Sequence, residues 1–135
     1  MSEKVPVIYE MRVACEYLAK CYYNGWGVRQ DFAKVLQYDK KACDLGSADS
    51  CVFAGTKYYK GKGTKKDLNR AIKLFAKSCE LEFAMGCNML GAFYGGGIGV
   101  PKNLSKAKEL FGKSCDLGEQ DGCDKYKELN EMGVK

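Results

Sequence analysis

No histidine occurs anywhere in the 135 residues. That absence removes every catalytic triad built on an imidazole and every histidine-ligated metal. Long apolar runs are missing too. None approaches the roughly 18 residues of a membrane helix, and Glu3, Lys4, Glu10 and Arg12 stand where an apolar signal core would lie. Zinc held by thiolates alone usually needs closely spaced cysteine knuckles, whereas Cys15 and Cys21, the nearest pair, are separated by five residues. No metal or other cofactor is therefore expected. Net charge is only +5 with lysines scattered along the chain, which favours solubility over capture of a polyanion, so nucleic acid is not an expected partner.

With 46% hydrophobic and 29% charged residues, the composition is that of one folded domain. Eight cysteines are its most unusual feature. With metal chemistry set aside, disulfides are the leading reading, and they imply an oxidising setting, periplasmic or secreted. The missing leader conflicts with this. The expectation adopted is that the sequence is a mature or trimmed form whose Met1 was supplied for expression.

Self-similarity organises the rest. Cysteines fall at 15, 51, 87 and 123 and again at 43, 79 and 115, each series stepping by 36. Tyr22, Tyr58 and Tyr94 keep the same step, as do Gly25, Gly61 and Gly97, and Asp31, Asp67 and Asn103. The chain divides into a lead-in (1–14), three repeats (15–50, 51–86, 87–122) and a half repeat that forms a C-terminal capping helix (123–135), all one repeat domain over 1–135. In each unit, apolar residues recur three and four apart, as in Leu18, Ala19, Tyr22 and Tyr23, which is one face of a helix. A Gly-x-Gly turn follows, then an Asp or Asn able to cap the open amides of a second helix. Val35, Leu36 and Tyr38, and in the next unit Ala71, Leu74 and Phe75, continue the apolar pattern there. The result is an all-α solenoid of helix-turn-helix repeats. Gly95 to Gly99 meets neither phosphate-loop spacing and follows no strand, so it reads as a turn.

Cys43 with Cys51, Cys79 with Cys87 and Cys115 with Cys123 each enclose seven residues. On one continuous helix their Cα atoms would lie about 12 Å apart, beyond the roughly 7 Å a disulfide spans. The chain must turn back between them, at Gly46 and Gly118 in two cases and at Glu82 in the third. Each bridge would then staple the end of one hairpin to the start of the next. Cys15 occupies the column of the second cysteine, but Val7 stands where its partner belongs. Cys21 lies outside the columns. The two fall on different sides of one helix and read as free thiols. A partner helix missing at the N-terminal end is the plain explanation for Cys15, and a reactive or intermolecular thiol is the other. The expected state is monomeric, with a dimer through Cys15 or Cys21 as the alternative.

These residues resemble the Sel-1-like repeat family, a relative of the tetratricopeptide repeat, and most closely its cysteine-rich branch, the Helicobacter cysteine-rich proteins. The resemblance is carried by Ala14-Cys15, Leu18-Ala19 and Tyr22 to Val28, by Asp31 to Lys34, and by Lys41 to Gly46, with the later copies at Tyr58 to Gly63, Lys77 to Leu81, Tyr94 to Val100 and Lys113 to Gly118. It implies disulfides between repeats, a periplasmic or secreted setting, and a right-handed α/α superhelix whose first helices line a concave face. It also implies, for some members, a penicillin-binding or weak β-lactamase character.

Serine β-lactam chemistry needs a nucleophile activated within S-x-x-K, with partner motifs around it. Ser105 and Lys108 fit the first motif, and the partners are absent, so they are weak catalytic candidates and a binding function is favoured. First-helix columns that differ between copies suit a surface shaped to a ligand. One is Tyr17, Phe53, Met89 and Lys125; another is Cys21, Lys57, Phe93 and Leu129; a third is Glu16, Val52, Asn88 and Asp124. The reading is that Tyr17, Phe53, Met89 and Phe93 grip an extended peptide of a protein partner. Lys20, Lys57 and Lys60 would meet its acidic groups and Asn88 its backbone, although some of these side chains could instead complete the packing of the helices.

Overall fold

The computed structural model describes residues 7–135, and within them the chain forms seven helices and no strand. They are α1 (Val7–Asn24), α2 (Phe32–Asp44), α3 (Ala48–Lys60), α4 (Leu68–Glu80), α5 (Ala84–Gly96), α6 (Leu104–Asp116) and α7 (Gln120–Glu131). Pairs α1–α2, α3–α4 and α5–α6 are hairpins stacked in sequence order, and α7 covers the last of them. None of these helices is long and apolar enough to cross a membrane.

Every hairpin turn is the same hydrogen-bonded structure. Asp31, Asp67 and Asn103 each accept from the backbone amide three residues on, which caps the second helix. Their own amides donate to the carbonyls of Tyr22, Tyr58 and Tyr94. Gly61 and Gly97 end α3 and α5 in the left-handed region, at φ 70° and 64°, where a Cβ would be strained. The periodic glycine, aspartate and tyrosine columns are thus one device used three times.

Between hairpins, Cys43–Cys51, Cys79–Cys87 and Cys115–Cys123 are joined, with Cα atoms 4.7, 4.5 and 4.5 Å apart. The intervening turns take a positive φ at Gly46, Glu82 and Gly118. Cys15 and Cys21 are buried and carry no bridge. One core cluster, centred on Phe75, Ala54 and Cys87, spans α2 to α6, and a smaller one around Phe111 and Leu129 seats α7.

Packing across each bridge is volume-coupled. Gly86 and Gly122 have no room for a side chain, because a Cβ on either would run into Ser78 or Ser114. Those serines donate to the carbonyls of Ala48 and Ala84, at 3.1 and 3.0 Å. At the first joint the sizes are exchanged: the glycine position holds Ser50 and the serine position holds Ala42, both buried.

Candidate functional site

The joints between hairpins are filled by a pair of side chains, one from a second helix and one from the first helix that follows. At the second joint these are Phe75 and Phe93, with ring centroids 5.4 Å apart. At the third they are Phe111 and Leu129, both buried. At the first joint, the same positions one period earlier hold Asp39 and Lys57. Lys57 Nζ lies 3.1 Å from Asp39 Oδ2, and the two side chains are 12% and 4% exposed. Burial pushes the Asp39 carboxyl above its ordinary range, and the Lys57 ammonium opposes this.

Above this pair lies a cavity of about 560 Å³ between α1, α2 and α3. Ala19, Val35 and Phe53 supply apolar wall, Asp39 and Lys57 the floor, and Lys20, Lys60 and Lys62 stand at the edge. Lys62 rests its ammonium 4.3 Å from the centre of the Phe32 ring. Glu16, also on the wall, accepts a 2.6 Å bond from the Ser47 hydroxyl.

Of the residues expected from the sequence to grip a ligand, the cavity brings together Lys20, Phe53, Lys57 and Lys60. Tyr17 lies outside that wall and is 60% exposed. Lys57 is held by Asp39 and is no free cation. Phe93 needs correction: it is 3% exposed and packs edge-on against Tyr59, so it belongs to the core. Met89 is half-buried and packed against the same core. Asn88 is engaged sideways, donating to Asp121 Oδ2 at 2.9 Å, and its buried carbonyl oxygen has no partner among the described residues. The expected groove therefore does not run evenly along the solenoid and opens at its N-terminal half.

Asp39 was the residue missed. Its signal was present, since the column at 39, 75 and 111 reads Asp, Phe, Phe. Ser105 is exposed at the start of α6, whereas Lys108 donates to Asn130 Oδ1 and to the carbonyl of Val134, at 2.9 and 2.7 Å. Lys108 is thus engaged by the end of α7 and its sequel. No cluster of ligating side chains able to hold a metal occurs among the described residues.

A stack of disulfide-tied helical hairpins, each packed on its neighbours in sequence, is the architecture of a repeat solenoid. Residues 12–47, 48–83 and 84–119 each match the model of the Sel1 repeat, in frames that begin three residues ahead of the cysteine columns. The chain belongs to the Sel1 repeat family, whose members generally mediate protein–protein interaction. A search of curated proteins finds no match.

Among solved structures, it is similar to Helicobacter pylori cysteine rich protein B, with 36% identity and a TM-score of 0.70 over 88% of this chain and 96% of that one. A Sel1 repeat protein from Oxalobacter formigenes gives a TM-score of 0.85 at 24% identity, over 91% of this chain and 51% of that one. A protective antigen present in uropathogenic Escherichia coli strains, with an SLR fold, gives 0.83 at 28% identity, over 91% and 26%. The chain thus spans about half of the Oxalobacter protein and about a quarter of the Escherichia coli antigen.

Proposed function

We propose that this chain is an extracytoplasmic interaction module that binds an extended peptide of a protein partner across the first helices of its hairpins, chiefly α1 and α3. The observation that carries this reading is the cavity beside exposed aromatic surface: Phe53 is 49% exposed and Tyr17 60%, on the first helices of successive hairpins, and Lys20 and Lys60 line the same cavity as Phe53. Large exposed aromatic side chains near a concave, partly basic surface are what a peptide anchors to. Three disulfides support the setting, because such bonds persist where thiols are not kept reduced.

The test is titration of fluorescently labelled random-sequence peptide pools, followed by selected single peptides, against the wild-type chain and two variants. Phe53→Ala, and Lys20→Ala with Lys60→Ala, are expected to weaken binding by about tenfold each, the loss of one anchor or of two edge charges. Both change exposed side chains and keep Asp39 and Lys57 in place, and circular dichroism checks that the helices are retained. Unchanged affinity in both variants would remove this groove from consideration.

A further inference from the structure

We infer that the cavity at the first joint is a socket for an aromatic side chain of the partner, tyrosine above all, with carboxylates flanking it in the peptide. The inference rests on the peptide-binding reading above and names the chemistry of its ligand.

The argument begins with three columns. In the second hairpin the Phe75 ring lies against Gly55, so closely that a Cβ there would come within 2.9 Å of it. Phe111 lies against Gly91 in the third hairpin in the same way, at 2.8 Å. One period earlier both columns change together. The ring becomes the carboxylate of Asp39 and the glycine becomes Ala19, which a smaller neighbour tolerates. The third column changes as well, from Phe93 to Lys57. Three linked differences thus remove two aromatic rings from one joint and leave a polar floor under open space.

Stability does not account for the exchange. A buried ion pair loses most of its attraction to the desolvation of both charges, and a packed apolar pair in its place is often as stable or more so. Two joints of this chain show the apolar solution. What the ion pair adds is a donor and an acceptor at the bottom of an apolar-walled cavity of about 560 Å³, large enough for a ring entering from outside. A phenol fits this floor better than a phenyl group, because its hydroxyl both donates, to a carboxylate, and accepts, from an ammonium. Phe53, Ala19 and Val35 would pack the ring faces.

Charge selects the flanks. Lys20, Lys60 and Lys62 border the cavity and form no ion pair among the described residues, while Asp39 is paired with Lys57 and Glu16, which accepts from Ser47, keeps its charge. Asp49 is an exposed carboxylate at the edge, so three unpaired lysines face the two carboxylates of Glu16 and Asp49. Carboxylates before and after the aromatic residue would meet this excess of cations.

The experiment uses labelled ten-residue peptides with a central tyrosine and two glutamates on each side, read by fluorescence anisotropy. Replacing the tyrosine by phenylalanine should weaken binding severalfold, and replacing it by alanine at least tenfold. Glutamine for glutamate should weaken it at least tenfold in dilute salt. On the protein, Ala19→Gly, Asp39→Phe and Lys57→Phe together rebuild the arrangement of the second joint. This variant should keep its helical circular dichroism and its melting temperature while losing at least tenfold in affinity.

Should the rebuilt variant not fold, Lys20→Glu with Lys60→Glu decides the matter. It should lose the glutamate-flanked peptide and gain its lysine-flanked counterpart. If the wild type binds selected peptides but a leucine-centred one as tightly as the tyrosine-centred one, or if the rebuilt variant binds unchanged, the inference falls and the groove reading survives. If the wild type binds no peptide of any pool, both fall.

Discussion

At the scale of single residues, size coupling across the joints explains which positions tolerate change. Gly86 has Ser78 Oγ and the Cys79 amide where a side chain would go. Gly86→Ser alone should therefore cost about 1–3 kcal/mol in chemical denaturation, the usual range for overpacking a filled site. Combining it with Ser78→Ala reproduces the Ala42 and Ser50 arrangement of the first joint. The double variant should recover at least half of that loss, although it forgoes the serine's bond to Ala48, and a double-mutant cycle measures the coupling. Simple additivity would show that the exchange of sizes between joints has no energetic meaning. The Asp39–Lys57 pair obeys the same rule of paired change, except that charge rather than volume is matched.

At the scale of helices and joints, each disulfide closes a short loop between the end of a second helix and the start of the next first helix. Closing about nine residues restricts the unfolded chain by about 2.5 kcal/mol in the chain-entropy account. Cys79→Ser with Cys87→Ser should lower stability by about this amount and broaden the unfolding transition, because the largest core cluster straddles that joint. Loss of the same stability with a transition as sharp as the wild type's would mean that the hairpins remain coupled by packing alone.

Most of this element-level order was legible in the sequence. Caps, turns and bridges sit in columns that repeat every 36 residues because each needs one residue type at one backbone conformation. The direction of the varying columns was not legible. Lys57 and Phe93 share a column that differs between copies, which suggested a surface, yet each faces the preceding helix. Their differences are matched by Asp39 and Phe75 on the other side of the joint, and such matching shows only when both helices are placed. Variation between copies therefore has two sources, exposure and compensated packing, and one column alone does not separate them.

At the scale of the whole molecule, the chain is a one-dimensional stack in which each hairpin touches its neighbours, and a domain of this size buries a limited core. Covalent ties at every joint hold the hairpins in register, and that register is what sets α1 and α3 at the spacing that opens the cavity. The proposed partner, the proposed extracytoplasmic setting and the geometry of the site all depend on those ties. Peptide mapping by mass spectrometry under non-reducing conditions, with free thiols alkylated before digestion, tests them directly. The account predicts linked peptides for Cys43–Cys51, Cys79–Cys87 and Cys115–Cys123, with Cys15 and Cys21 alkylated once the chain is unfolded. Alkylation of all eight cysteines in the protein as isolated from its native source, or a different set of linked pairs, would contradict it.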